Sequence, residues 1–235
     1  MKFVDPGATL GELVLAHPAS ATLFERLGLD YCCGGRRTLE QACAQRGLDA
    51  DTVGVLVASL DHEPPAPAHD VARSSIADLC EHIVARHHEP LRDELARIGE
   101  RLDTVVRVHG REHPELADLQ RLFAGMRGEL EVHMRVEEHT LFPACRALDE
   151  HGDTSGFDEG VVVLLEDEHD ATGDALCALR ELSGGYDAER ALCGTHRALL
   201  ESLAQLELEM HQHIHEENNV LFPRVRERIA ARSSS

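Results

Sequence analysis

Apolar residues recur at alternating steps of three and four along four stretches of the chain. The first stripe runs through Val84, Leu91, Leu95, Ile98, Leu102 and Val105, and the second through Leu116, Leu119, Phe123, Met126 and Leu130. The third takes in Val162, Leu165, Thr172, Leu176 and Leu179, the fourth Leu199, Leu203, Leu206, Met210 and Val220. That period marks one face of an α-helix. Ser75-x-x-Asp78 can open the first helix, Pro114 suits the first turn of the second, Gly152 to Gly160 break the chain, and Ser183-Gly-Gly185 separate the third from the fourth. Four long helices with short or moderate connections predict an all-α, antiparallel up-down-up-down four-helix bundle. Strand patterns are nearly absent.

Ahead of the bundle the signals are shorter. Thr9-x-x-Glu12 and Thr38-x-x-Gln41 read as capping boxes, and Gly28, Gly47 and the Gly34-Gly35 pair punctuate the helices they open. Three prolines between Glu63 and His69 remove backbone donors and fix φ, so no helix continues there. The expected organisation is a small helical domain over 1–62, a Pro-rich linker over 63–73 and the bundle over 74–232. The small domain holds one conspicuous loop, Asp30-Tyr-Cys-Cys-Gly-Gly35.

Each apolar stripe is interrupted by one or two polar residues. His88 falls in the first, His133 and Glu137 in the second, His169 in the third, His213 and Glu217 in the fourth. The segments from His133 to Pro143 and from His213 to Pro223 are copies 80 positions apart; both hold His-x-x-x-Glu and end in Leu-Phe-Pro, while His88 and His169 are 81 apart. The order reads as a duplicated helical hairpin. A single His-x-x-x-Glu is more often a solvated contact on a helix surface. The whole set, on apolar seams, is different: a buried ionised carboxylate costs several kcal/mol unless paired or bound to metal, and no Lys or Arg occupies the neighbouring seam positions. A metal-free polar network is the alternative. Four imidazoles and two carboxylates exceed the four ligands of a structural zinc site and suit two iron or manganese ions, with Glu137 and Glu217 free to bridge and positions left open for an exogenous ligand.

Other histidines are set apart by helical geometry. His87 is rotated about 100° from His88 and should point elsewhere. His109 and His196 lie too far along their helices from the ligand level, which makes the first a helix-end residue and the second core filling. His211, His215 and Glu216 are off the seam and are expected around the ligands or at the surface.

Composition narrows the function. With 23 basic and 43 acidic residues the formal net charge is −20, the wrong sign for phosphate backbones and anionic membranes. Nucleic acid and membrane are therefore not expected partners, and no stretch approaches a spanning helix. The first residues carry no secretory pattern, and seven cysteines, an odd count with two adjacent, do not resemble a disulfide framework. Cytoplasmic residence with reduced thiols is the expectation.

The region from 75 to 228 resembles the hemerythrin-like four-helix domain. With Asp30-Tyr-Cys-Cys-Gly-Gly35 and Thr38-Leu-Glu-Gln-Ala-Cys43 ahead of it, and Glu168-His-Asp170 with Gly173 inside it, nearly the whole chain resembles the di-iron RIC family, which repairs iron-sulfur clusters. The resemblance implies a non-haem centre of two iron ions held by His88, His133, Glu137, His169, His213 and Glu217, with both glutamates bridging. It also implies recovery of iron-sulfur proteins damaged by nitric oxide or peroxide, which makes those proteins the partners. Two other functions remain open on the same site: a hemerythrin-type oxygen binder or sensor, and a nitric oxide reductase. Hemerythrins typically use a fifth histidine, whereas these seams offer four. An iron-donating repair protein is favoured over a turnover enzyme, and an apolar helix face of the small domain leaves room for a homodimer.

Cys32 and Cys33 have two readings. Adjacent cysteines join only through a strained ring, which disfavours a structural disulfide. Either they are inert thiols in a Gly-flanked turn, or, as the resemblance implies, a functional pair for iron handling, redox exchange or target contact.

Overall fold

The structure is a computed structural model that describes residues 4–60, 71 and 73–233. Among these residues it is all helical, apart from one isolated antiparallel bridge between Thr9 and Thr38. The chain forms two compact units, 1–79 together with 214–235, and 80–213. The linker expected over 63–73 lies, except for Val71 and Arg73, outside the described residues.

In the first unit, α1 (Leu10–Ala16) and α3 (Leu39–Arg46) open on the expected capping boxes, Thr9 with Glu12 and Thr38 with Gln41. The first N–H groups of a helix have no partner within it. Here each helix start also borrows carbonyls from beside the other: Leu10 and Gly11 donate to Arg37 and Gly35, while Leu39 and Glu40 donate to Ala8 and Pro6. The two starts are thereby stitched together, and the 30–37 loop is pinned between them. Leu10, Leu13, Phe24, Tyr31, Leu39 and Val57 share one core with α2 (Ser20–Leu27) and α4 (Ala50–Ser59). Burying a side chain of that size contributes about 1.5–3 kcal/mol.

The second unit is the bundle. α5 (Ile76–Ile83) runs through a wide turn, Val84–His88, into α6 (Glu89–His109). α7 (Glu115–Val136) continues through a second wide turn, Glu137–Leu141, into α8 (Phe142–His151). α9 (Glu159–Leu182) and α10 (Gly194–Glu216) follow. α6 packs on α7 and α7 on α9. Arg180 of α9 pairs with Glu207 of α10, and Arg101 of α6 donates to Ser202 of α10, so the four rods close on one another. The seams read from the sequence line the interior: Leu95, Ile98, Leu102, Leu119, Phe123, Leu165, Leu179 and Leu203 are essentially inaccessible. The all-α helical bundle expected from periodicity is the architecture found.

The rods are not uniform α-helix. Each wide turn is π-helical, as is Glu217–Leu221 before α11 (Phe222–Ser233), and a proline follows each turn's last residue by two positions: Pro90, Pro143 and Pro223. Proline offers no N–H to the carbonyl four residues back and crowds it. Phe142 and Phe222 bond instead to the carbonyls five back, of Glu137 and Glu217. Such insertions collect at functional positions. All three include a residue expected to be a ligand.

Candidate metal centre

Five of the six expected ligands converge inside the bundle unit. His88, His133, His169 and His213 are 4% exposed or less and Glu137 is fully buried. Donor atoms of His88, Glu137 and His213 lie within 4.8 Å of one another, as do those of His133, Glu137 and His169. One oxygen of Glu137, Oε2, stands between the two sets, 3.3 Å from His88 Nε2 and 3.4 Å from His133 Nε2. The sixth residue, Glu217, four positions after His213 in the sequence, belongs to the first unit and is also fully buried.

The imidazoles face each other through their Nε2 atoms, at 3.2 Å for His88 with His213 and 3.1 Å for His133 with His169. Nδ1 of two of them is engaged by a carboxylate: His88 Nδ1 is 2.8 Å from Glu138 Oε1, and His133 Nδ1 is 2.7 Å from Glu168 Oε2. A carboxylate accepts, so it fixes the proton on Nδ1 and leaves the Nε2 lone pair turned inward. Inward-facing lone pairs ask for a cation. A divalent ion bound at about 2.1 Å sets donors at right angles about 3.0 Å apart, close to both spacings. The donor set therefore fits metal ions of the class expected.

Glu138 and Glu168 are partners of the ligands that helical periodicity does not single out. The signal is local: each adjoins a ligand, Glu137 and His169, and a neighbour rotated about 100° points toward the next helix. Burial opposes the charged form of Glu138, yet Arg92 and His88 overcome it and hold the carboxyl below the usual range. Its charge is thus secured.

His87 departs from expectation. It is buried, and its ring lies parallel to that of His213 with centroids 5.1 Å apart. The wide turn Val84–His88 adds a residue to the helical repeat, so two successive histidines face inward where a regular α-helix would turn one of them out. A cavity of about 210 Å³, lined by Arg86, His87, Leu91, Met210 and His213 among others, opens beside them. His109 ends α6 as expected; His196 is buried near the start of α10, where its Nδ1 accepts the Leu192 N–H.

In the first unit, Cys32 and Cys33 share their loop with Asp30. The sulfurs are 3.7 Å apart and Cys32 Sγ is 3.4 Å from Asp30 Oδ1. The Cys33 side chain, burial and the Asp30 charge all push the Cys32 thiol up, so it is no ready thiolate. His215, expected around the ligands or at the surface, is buried with its ring against Tyr31. Asn219 donates to the carbonyls of Tyr31 and Cys32 at 3.3 and 3.0 Å, tying the loop to the helix that carries Glu217.

Comparison with known proteins decides the family. Residues 81–225 match the hemerythrin HHE cation binding domain, and residues 6–61 match ScdA_N, a domain of unknown function (DUF542). The iron-sulfur cluster repair protein ScdA of Staphylococcus haemolyticus is 33% identical over 218 residues, covering 91% of this chain and 95% of that protein. The iron-sulfur cluster repair protein YtfE of Escherichia coli O1:K1 is 31% identical over 215 residues, covering 92% and 94%. The chain belongs to the ScdA/YtfE family. The two matched regions place the family's cation-binding domain on the bundle and its second domain on the helices around the Cys32-Cys33 loop. Among the described residues no helix is long and apolar enough to cross a membrane.

Proposed function

We propose that this chain repairs iron-sulfur clusters damaged by nitric oxide or oxidative stress, using a non-haem centre of two iron ions held by His88, His133, Glu137, His169, His213 and Glu217. The observation that carries this reading is the placement of Glu137 Oε2 between two inward-facing imidazoles on the apolar seams of the bundle. Support comes also from relatives named for cluster repair that align along nearly the whole chain.

When bound, the iron pair supplies a redox-active centre that can take nitric oxide or be given up to a damaged cluster. The chain's own residues define how. Glu138 and Glu168 hold His88 and His133 as Nε2 donors, which keeps the site basic and its charge constant. Glu137 and Glu217 would be the two carboxylate ligands. Apolar seams flank the ligand level, and the cavity beside His213 offers space for a small ligand next to that imidazole. In this reading the protein works in the cytoplasm, and its partners are the damaged iron-sulfur proteins themselves.

Repair is tested by incubating the iron-loaded protein, without oxygen, with a dehydratase whose four-iron cluster has been nitrosylated. Recovery of dehydratase activity is expected with the natural sequence and loss of recovery with Glu137→Ala plus Glu217→Ala. Undiminished recovery with that variant rejects the mechanism. Metal analysis and EPR of the anaerobically purified protein test the count of two irons. A stable oxy spectrum without repair would favour oxygen binding, and multiple-turnover nitrous oxide production without repair would favour a reductase.

A further inference from the structure

We propose that Asp30, Cys32 and Cys33 form a second metal site, one that takes a single thiophilic divalent cation of the Fe(II) class through two sulfurs and one oxygen. The three donors lie within 4.8 Å of one another in the first unit.

The distances suit a metal ion and exclude a disulfide. Sulfurs at about 2.3 Å from a tetrahedral ion lie about 3.75 Å apart, and a sulfur and a carboxylate oxygen at about 2.0 Å lie about 3.5 Å apart. The observed spacings are 3.7 and 3.4 Å. A disulfide would need the sulfurs at about 2.05 Å with Cα atoms at least about 4.4 Å apart, whereas a trans peptide holds adjacent Cα atoms at about 3.8 Å. An inserted ion lengthens the bridge and removes that conflict. The reduced Cys32 thiol reaches Asp30 Oδ1 and Cys33 Sγ at these same spacings, so the donors already stand where an ion would need them.

The carboxylate is held in place from both sides. Asp30 Oδ1 accepts the Cys33 N–H at 3.1 Å and faces Cys32, while Oδ2 is held by Arg37 at 3.0 Å; Arg37 is braced in turn by Gln45 at 2.8 Å. Such outer partners orient metal ligands. Charge also closes once the ion displaces both thiol protons to solvent: two thiolates and a carboxylate, one divalent ion and one guanidinium sum to zero. The glycines that follow are required by close approach. A Cβ on Gly34 would stand 2.7 Å from Asp30 Oδ2, and one on Gly35 would stand 2.5 Å from the Tyr31 carbonyl. Cys-Cys-Gly-Gly is thus one built unit.

Three protein donors leave a fourth position for an outside ligand, and Cys33 and Asp30 are partly exposed. That is the arrangement of an exchangeable site rather than a closed structural one. Iron as the occupant rests on the repair reading; the site itself does not.

The test uses the full chain, reduced and free of oxygen, titrated with Co(II). Imidazoles and carboxylates give no sulfur-to-cobalt charge-transfer band, so that band reports cysteine ligation, and serine variants assign it to this cluster. The expected result is a band whose full intensity matches one thiolate-bound cobalt, which survives Glu137→Ala, disappears in Cys32→Ser and in Cys33→Ser, and needs about tenfold more cobalt in Asp30→Asn, which keeps the Oδ1 acceptor for the Cys33 N–H. Matching far-UV circular dichroism checks that each variant folds. Absence of the band, or its survival in both serine variants, overturns the site. In parallel, Fe(II) loading of the Cys32→Ser, Cys33→Ser double variant should fall by one ion. A cobalt band with unchanged iron content overturns iron as the occupant, whatever the outcome of the repair assay.

Discussion

His133 and Glu168 meet across two helices of the bundle, with Nδ1 of the imidazole 2.7 Å from a carboxylate oxygen that does not itself face the ligand set. Together with Glu138 and His88 at 2.8 Å, this contact decides which ring nitrogen is left to bind a metal.

Removing that direction without removing a ligand should weaken iron binding. Glu168→Gln and Glu138→Gln are each expected to lower iron affinity about 10–100-fold, because an amide can present a donor to Nδ1 and no longer enforces its protonation. Competition with a chelator of known affinity measures it. Unchanged retention of iron in both variants would mean that the ring orientation is set by packing alone.

Metal removal should cost stability. An ion that binds only the folded chain contributes about 2.7 kcal/mol at a free concentration of about 100 Kd. At about 2–4 °C per kcal/mol for a chain of this size, chelation is expected to lower the bundle's Tm by roughly 5–11 °C. Anaerobic differential scanning calorimetry before and after dialysis against chelator reads the difference.

Two glycine substitutions should act in opposite directions. A methyl at Gly35 meets the Tyr31 carbonyl at 2.5 Å and the Asn219 amide oxygen at 2.3 Å, so Gly35→Ala is expected to destabilise the Cys loop by about 1–3 kcal/mol. Gly128, inside α7, is exposed, and a methyl there would meet nothing within 4 Å, so Gly128→Ala should stabilise by about 0.5–1 kcal/mol through helix propensity. Urea titrations of both variants decide the signs.

His196 should make stability depend on pH. Burial, and after it the nearby His109 and His113, lower its pKa, and its neutral Nδ1 accepts the Leu192 N–H at 3.1 Å ahead of α10. With the folded pKa below the unfolded value of about 6.5, the unfolded chain binds the additional proton. The contribution is fully present above about pH 6.5 and is lost as the pH falls from there toward the folded pKa. A hydrogen bond of this kind is worth up to about 1 kcal/mol. His196→Gln keeps an acceptor that does not titrate, so its Tm should fall less than that of the natural sequence between about pH 7.5 and about pH 5.5; parallel slopes would remove His196 from the account.

The candidate ligands are legible in the sequence because a helix has a fixed period. Polar residues that interrupt an apolar stripe must go where the stripe goes, and His88, His133, Glu137, His169 and His213 are found buried on their seams. His87 and His215 escape the same reasoning for the complementary reason. A π-helical turn shifts the register by a residue beside His87, and the Cys loop covers His215 within the first unit. The prolines that follow each wide turn are the trace those shifts leave in the sequence.

The sequence alone determined the helical class, the apolar faces and the residue types that face inward, since these follow from local periodicity and from the cost of burying unpaired charge. Only tertiary structure decided which carboxylates back which imidazoles, and that an aspartate converges with two adjacent thiols. Those pairings join atoms from separate helices or opposite ends of a folded loop, at distances that no spacing along the chain encodes.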